Sequence, residues 1–195
     1  RNPDTVMPES EIKIPRHIGY ILDGNRRWAK KHGIPYYEGH LAGYNAVKEV
    51  AIATLAAGVE YMSVYAWSTE NWTRTQDEVK KIMALTLKVL QSDISMFNDN
   101  NVRLQVIGSR DRVDSKIIKA IENAEKSTAG NTGGILALCF NYGGHAEITD
   151  AVKKIVQSGV SADKVTPELI AENLYAPEVP PMDVIVRTSG EHRLS

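Results

Sequence analysis

His17-Ile18-Gly19-Tyr20-Ile21-Leu22-Asp23-Gly24-Asn25-Arg26-Arg27-Trp28 is the stretch from which the fold is read. The apolar run up to Leu22 predicts a buried strand over 17–22, with Asp23 at its carboxyl end. Gly24-Asn25 is a turn signal that lets backbone approach a ligand closely. Arg26 and Arg27 open a helix, whose free N–H groups and dipole favour an anion. A carboxylate for a cation, beside arginines and amides for a phosphate, suggests a magnesium–diphosphate site. An ordinary αβ turn with a capping aspartate is the plainer reading of the same residues.

Outward from this stretch the chain alternates. Residues 1–15, with prolines at 3, 8 and 15, read as a lead-in, and 16–195 as one domain. A short helix is expected over 26–32, broken by Gly33-Ile34-Pro35; Gly39-His40 precedes a helix over 42–57 that stops at Gly58. A strand over 61–66 ends in the polar-aromatic loop Trp67-Ser68-Thr69-Glu70-Asn71-Trp72-Thr73-Arg74. Thr75 and Glu78 have the spacing of a capping box and start a helix over 76–98. Its apolar residues nearly encircle it, so it buries more than one face. A central core helix, a dimer contact and the wall of a greasy cavity all satisfy that pattern.

A strand over 102–108, a helix over 110–128, the turn Gly130–Gly134 and a strand over 135–141 follow. After Tyr142-Gly143-Gly144-His145 comes a helix over 146–157; Thr166-Pro167-Glu168 begins another, and 183–187 is a last strand. Strands separated by helices predict an α/β fold, with a mostly parallel central sheet flanked by helices. In such sheets the ligand site lies beyond the carboxyl ends of the strands. The polar loops Asp23–Trp28, Ser68–Arg74, Asn141–His145 and Arg187–Ser195 would therefore converge on one edge.

At 195 residues, 43% hydrophobic and 24% charged, the chain is an ordinary globular sequence. A net charge of -1 gives no argument for nucleic acid. The single cysteine, Cys139, excludes an internal disulfide and a cysteine metal cage; Leu138 and Phe140 beside it favour a buried thiol. No run of about 18 apolar residues and no secretory signal is visible, so a cytoplasmic protein is expected.

Arginine forks match phosphate oxygens. Arg27, Arg74, Arg187 and Arg193 at one sheet edge look like a site for two diphosphates, with Ser68, Ser195 and the Gly143-Gly144 amides as neutral donors. Mg2+ often takes only one or two protein carboxylates. Asp23 fits that role, Glu191 is the second candidate, and His40 and His192 could donate to a phosphate. Other phosphate machinery is missing: there is no Walker loop, no Gly-x-Gly-x-x-Gly after the first strand, and position 25 is Asn, so paired acids for an aspartyl phosphate are lacking. No Gly-x-Ser-x-Gly elbow occurs.

Taken in order, His17–Trp28, Gly39-His40, Ser68–Trp72 with Arg74, Gly130–Gly133, Asn141–Gly144 and Arg187–Ser195 resemble the cis-prenyltransferases, the family of undecaprenyl and dehydrodolichyl diphosphate synthases. The resemblance covers nearly the whole chain from about residue 15. It implies a homodimer and a hydrophobic tunnel between sheet and helices. It also implies magnesium-dependent addition of isopentenyl diphosphate to an allylic diphosphate, usually farnesyl diphosphate, with cis double bonds.

Carried over by position, Asp23 is the magnesium-linked catalytic residue. Gly24, Asn25, Arg26, Arg27 and Trp28, with His40, form the allylic diphosphate loop. Ser68, Thr69, Glu70, Asn71, Trp72 and Arg74 lie beside the reacting carbons, with Asn71 or the released diphosphate taking the proton. Arg187, Arg193 and Ser195 form the isopentenyl diphosphate clamp. Tyr36 departs from the family, which usually has arginine there. The family also continues past the Arg-Leu-Ser segment, with a further strand, a metal-linked glutamate and much of the dimer interface.

A tunnel gives the helix over 76–98 its second buried face. Each buried methylene contributes roughly 0.8 kcal/mol, so a growing tail binds ever more tightly and product release, at a membrane surface, is slow. Wall bulk then sets product length, with Tyr44, Ala66 and Leu85 as wall candidates beside plain core packing. Two alternatives remain: a non-catalytic partner subunit of the same fold, which typically lacks the Asp-Gly-Asn loop present here, and a generic nucleotide- or sugar-phosphate-binding domain.

Overall fold

The computed structural model describes residues 13–194, so most of the lead-in and Ser195 lie outside the described residues. The strands are β1 (His17–Ile21), β2 (Tyr61–Ser68), β3 (Arg103–Ile107), β4 (Ile135–Tyr142) and β5 (Val184–Arg187). The helices are α1 (Asn25–Lys31), α2 (Tyr36–Ala56), α3 (Gln76–Ser92), α4 (Ile94–Asp99), α5 (Ser115–Thr128), α6 (Gly144–Gln157) and α7 (Pro167–Glu172). A 3-10 turn, Thr69–Thr73, joins β2 to α3.

The strands form one sheet in the order β3-β4-β2-β1-β5. Every pairing in it is parallel. From β1 the chain moves to β2 on one side and returns as β5 on the other. The carboxyl end of β1 is therefore a topological switch point, where the outgoing loops part and leave a crevice. Asp23 stands at that crevice.

The main core lies on one face of the sheet. Met62, Val64, Leu104, Val106, Leu136 and Phe140 pack there against α2, α3 and α5, through Ala51, Leu55, Leu90, Ile117 and Ile121. The register of β2 against β4 shifts around Ala66. This bulge breaks the period-2 alternation and turns Trp67 onto the core face. On the opposite face a smaller cluster, with Cys139 at its centre, packs against Tyr175, Ala176 and Val179. The Cys139 thiol is buried there, and burial beside Glu147 pushes it up to about 12, which makes it inert.

Several expected boundaries move. The second helix begins at Tyr36, not 42, so Gly39 and His40 lie inside it. Gly39 is where α2 crosses α1: a Cβ there would stand 2.4 Å from the Asn25 carbonyl oxygen. Close packing, not a position ahead of the helix, explains that glycine. The helix expected over 76–98 divides at Asp93 into α3 and α4.

Nor is α3 apolar all round, because Asp77, Lys80, Lys81, Ala84 and Lys88 are exposed. Its apolar residues cover the core side and a cavity side, and a solvent stripe remains. The helix expected from 110 starts at Ser115, where Asp114 caps it through the Lys116 N–H at 2.7 Å. α6 starts at Gly144, which places the Gly143-Gly144 amides at a helix N-terminus. The caps read at Thr75 and Thr166 are present, each side chain accepting the expected backbone N–H. Among the described residues no helix is long and apolar enough to cross a membrane.

Candidate active site

The loop after β1 is built around the Asp23 carboxylate. Gly24 follows with φ +96, a left-handed turn whose Cβ position would lie 2.5 Å from Ser189 Oγ. That turn brings the Gly24 N–H to Asp23 Oδ1 at 2.7 Å. Arg187, the last residue of β5, donates to Asp23 Oδ2 from Nη2 at 2.9 Å and from Nε at 3.3 Å. Arg27, on the first turn of α1, approaches Asp23 Oδ1 at 3.4 Å. Burial would raise the Asp23 carboxyl, but Arg187, the Gly24 N–H and Arg27 outweigh it and hold the group below the usual carboxylate range.

The segment after β5 is tied to the same loop. The Asp23 N–H donates to Thr188 Oγ1 at 2.9 Å, and the Thr188 hydroxyl donates back to the Asp23 carbonyl at 2.7 Å. Arg27 Nη2 donates to Ser189 Oγ at 2.7 Å, and its Nη1 lies 3.4 Å from Glu191. Arg187 Nη1 donates to the Arg193 carbonyl at 2.6 Å. Two loops far apart in sequence are thus one structure, with Arg187 as the hub.

The 3-10 turn is braced from behind. Asn141 is buried at 3% exposure and adopts φ 51 at the end of β4. Its Oδ1 accepts the Trp72 indole N–H at 2.7 Å, and its Nδ2 donates to the Ser109 and Asp111 carbonyls at 2.9 and 2.8 Å. Trp72 meets Trp67 edge-on at 5.7 Å, and the Arg112 guanidinium covers its ring at 5.2 Å. Asn141→Ala strands these buried groups and strains a left-handed position, for a loss of roughly 3 kcal/mol. A thermal melt should show a midpoint about 10 °C lower.

In front of the turn, Arg74 Nη1 donates to Glu78 Oε1 at 2.6 Å and Nη2 donates to Asn71 Oδ1 at 3.3 Å. Glu78 Oε1 also stands 3.9 Å from Arg26 Nε and 3.9 Å from His40 Nε2. Burial first, then Arg74, lowers the His40 pKa, and its Nε2 is buried with no hydrogen-bond partner among the described residues. The neutral ring thus has an unused nitrogen at the cavity wall. Tyr36 replaces the expected arginine with an aromatic face, on which Arg26 stacks at 4.9 Å.

These groups ring the mouth of a cavity of about 1240 Å³. Behind the mouth its wall is apolar: Val64, Leu136, Leu138 and Phe140 from the sheet, Val47 from α2, Ile82, Leu85, Val89 and Leu90 from α3, and Phe97 from α4. It reaches from the carboxyl ends of the strands to the early residues of β3 and β4, Leu104 and Leu136. A mouth rich in arginines therefore opens directly into an apolar-walled space.

Asp23, Gly24, Asn25, Arg26, Arg27, His40, Ser68, Thr69, Glu70, Asn71, Arg74, Arg187 and Arg193 line this one cavity. Tyr44, Ala66 and Leu85 line it too. Trp28 lies apart: it is 44% exposed and stacks on His32 at 4.2 Å. Trp72 stands behind the wall as a brace. Ser195 is outside the described residues. Glu78 carries only a capping signal in the sequence, yet its carboxylate turns to Arg74 and leaves the capping box half formed. Thr188 and Ser189 belong to the polar loop Arg187–Ser195 that the sequence singles out, whereas Lys48 carries no distinctive sequence signal.

The family described as "Putative undecaprenyl diphosphate synthase" matches residues 21–195. An isoprenyl transferase of Neisseria gonorrhoeae is 42% identical over 182 residues, covering 93% of this chain and 73% of that protein. One from Streptococcus mutans is 46% identical over 191 residues, covering 94% of this chain and 77% of its own length. Among solved structures, lavandulyl diphosphate synthase from Lavandula x intermedia, in complex with dimethylallyl diphosphate, superposes with a TM-score of 0.88 at 29% identity, covering 93% of this chain and 80% of that one. A probable undecaprenyl diphosphate synthase from Campylobacter jejuni gives a TM-score of 0.73 at 27% identity, over 94% and 79% of the two chains.

Proposed function

The chain belongs to the undecaprenyl diphosphate synthase family of cis-prenyltransferases, and from that premise we propose that it condenses isopentenyl diphosphate repeatedly onto an allylic diphosphate, with farnesyl diphosphate as the primer. The observation that carries this reading is the continuity of an arginine-rich mouth with a long apolar cavity. A nucleotide or sugar phosphate has no use for such a wall.

In this reading the allylic diphosphate rests on the loop after β1 and the start of α1, with its tail in the cavity. Arg27 and the α1 amides take its phosphate oxygens, and the neutral His40 donates from Nε2. Arg187 and Arg193 clamp the isopentenyl diphosphate. Arg74 and Asn71 face the reacting carbons, and the Asn71 amide orients the proton that leaves. The apolar wall excludes water, which would otherwise quench the allylic cation.

Among the described residues no cluster of three His, Cys, Asp or Glu side chains is close enough to cage a metal. One carboxylate at the mouth, Asp23, fits Mg2+, which completes its shell with phosphate oxygens and water. Asp23 would hold Mg2+, whose chemistry there is neutralising charge on the departing diphosphate. Assembly as a homodimer and release of product at a membrane surface belong to the same proposal. The non-catalytic-partner alternative has no observation in its favour, because Asp23 and its arginines stand together at the mouth.

The test is incubation of the protein with farnesyl diphosphate and labelled isopentenyl diphosphate, with and without Mg2+. Longer prenyl diphosphates that depend on the metal are expected. Absence of any product longer than the primer would refute the reading.

A further inference from the structure

Beyond the mouth, one charged side chain interrupts the apolar wall. Lys48 lines the cavity from α2 among Val47, Val89 and Leu90. It lies eight residues beyond His40, about 12 Å further along the helix. Its Nζ is 3.3 Å from Asp93 Oδ2 and 4.8 Å from the centre of the Tyr44 ring. The Tyr44 hydroxyl donates to the same Asp93 oxygen. Burial and that carboxylate push the Tyr44 phenol far up, so it keeps its proton and remains the donor.

Asp93 sits where α3 ends and α4 begins, and its side chain caps neither helix. It reaches across to α2 instead. The Lys48 and Asp93 side chains keep 26% and 18% of their exposure, so the pair is still partly hydrated.

A hydrocarbon tail passing this point would strip water from an ion pair, which opposes the gain from burying each further methylene. Resting on the polyprenyl-synthase reading above, we propose that the Tyr44–Asp93–Lys48 clasp, which meets the cavity through Tyr44 and Lys48 and is anchored behind them by Asp93, is a polar stop that sets how long the product grows. Steric bulk alone does not need a salt bridge here. The clasp also fixes the spacing of α2 from the α3–α4 junction, so charge and wall position act together.

The experiment compares wild type, Lys48→Met, Lys48→Arg and Tyr44→Phe with farnesyl diphosphate and excess labelled isopentenyl diphosphate, the products being resolved by chain length. Lys48→Met keeps the stem and removes the charge. It should move the most abundant product up by one or more isoprene units, while the rate of the first condensation stays within about twofold. Tyr44→Phe should shift the distribution in the same direction by less, and Lys48→Arg should keep the wild-type length. A wild-type distribution from Lys48→Met, or an equal shift from Lys48→Arg, overturns the proposal. Failure of the wild type to extend the primer at all is a different result: it removes the polyprenyl-synthase reading, and the stop falls with it.

Discussion

Asp23→Ala lowers turnover by about 10³-fold while the protein stays folded. The carboxylate has no core contact to lose, since it lies at the cavity mouth with a side chain still 22% exposed. What it loses is its charge. Arg187 and Arg27 then face one another without the carboxylate that, among the described residues, pairs with both. Steady-state rates with farnesyl and isopentenyl diphosphates, beside a thermal melt, separate the two effects. A melt within a few degrees of wild type with the rate nearly abolished is the expected pair. Retention of more than about a tenth of the activity would remove Asp23 from its assigned role.

Arg187→Ala carries the second large effect. This guanidinium is only 11% exposed and spends its donors on Asp23 and on the Arg193 carbonyl. Removing it takes away the donor that orients Asp23 and one cation of the isopentenyl diphosphate clamp, for a loss of about 10²–10³-fold in kcat/KM. It also frees the Arg193 end of the segment, while Thr188 and Ser189 stay bonded to Asp23 and Arg27. Arg187→Lys should restore little, because an ammonium cannot reach Asp23 Oδ2 and the Arg193 carbonyl from one planar fork. Separate KM values for the two diphosphates check the assignment. The rise should fall mainly on isopentenyl diphosphate, and an equal rise for both would make Arg187 a holder of Asp23 alone.

Much of this was legible in the chain. The β-branched run ending at Leu22 and the polar loops after each predicted strand place Asp23, Ser68 and Arg187 at one edge, because parallel crossovers leave little choice. Thr75 and Thr166 marked helix starts correctly, since a cap is a local arrangement of a few residues. Boundaries failed where the cause was not local. Gly39 reads as lying before the second helix because nothing in its neighbours shows that α1 will lie against it. Asp93 read as helix interior because its partners, Tyr44 and Lys48, are 49 and 45 residues away on another element.

The site divides in the same way. Residue types decided the chemistry, an acid among arginines with an amide-bearing turn, and the sequence alone determined the α/β class, the parallel sheet and the order of its polar loops. Only the tertiary structure decided which side chains meet. It turned Glu78 from a cap into the acceptor of Arg74, put Trp72 behind the wall as a brace on Asn141, left Trp28 stacked outside on His32, and set a charged clasp in an otherwise apolar cavity. The physical reason is range. Helix and strand periodicity and capping act over a few residues and are written in neighbouring letters, whereas hydrogen bonds and ion pairs between elements depend on distances that exist only after the sheet has brought its strand ends together.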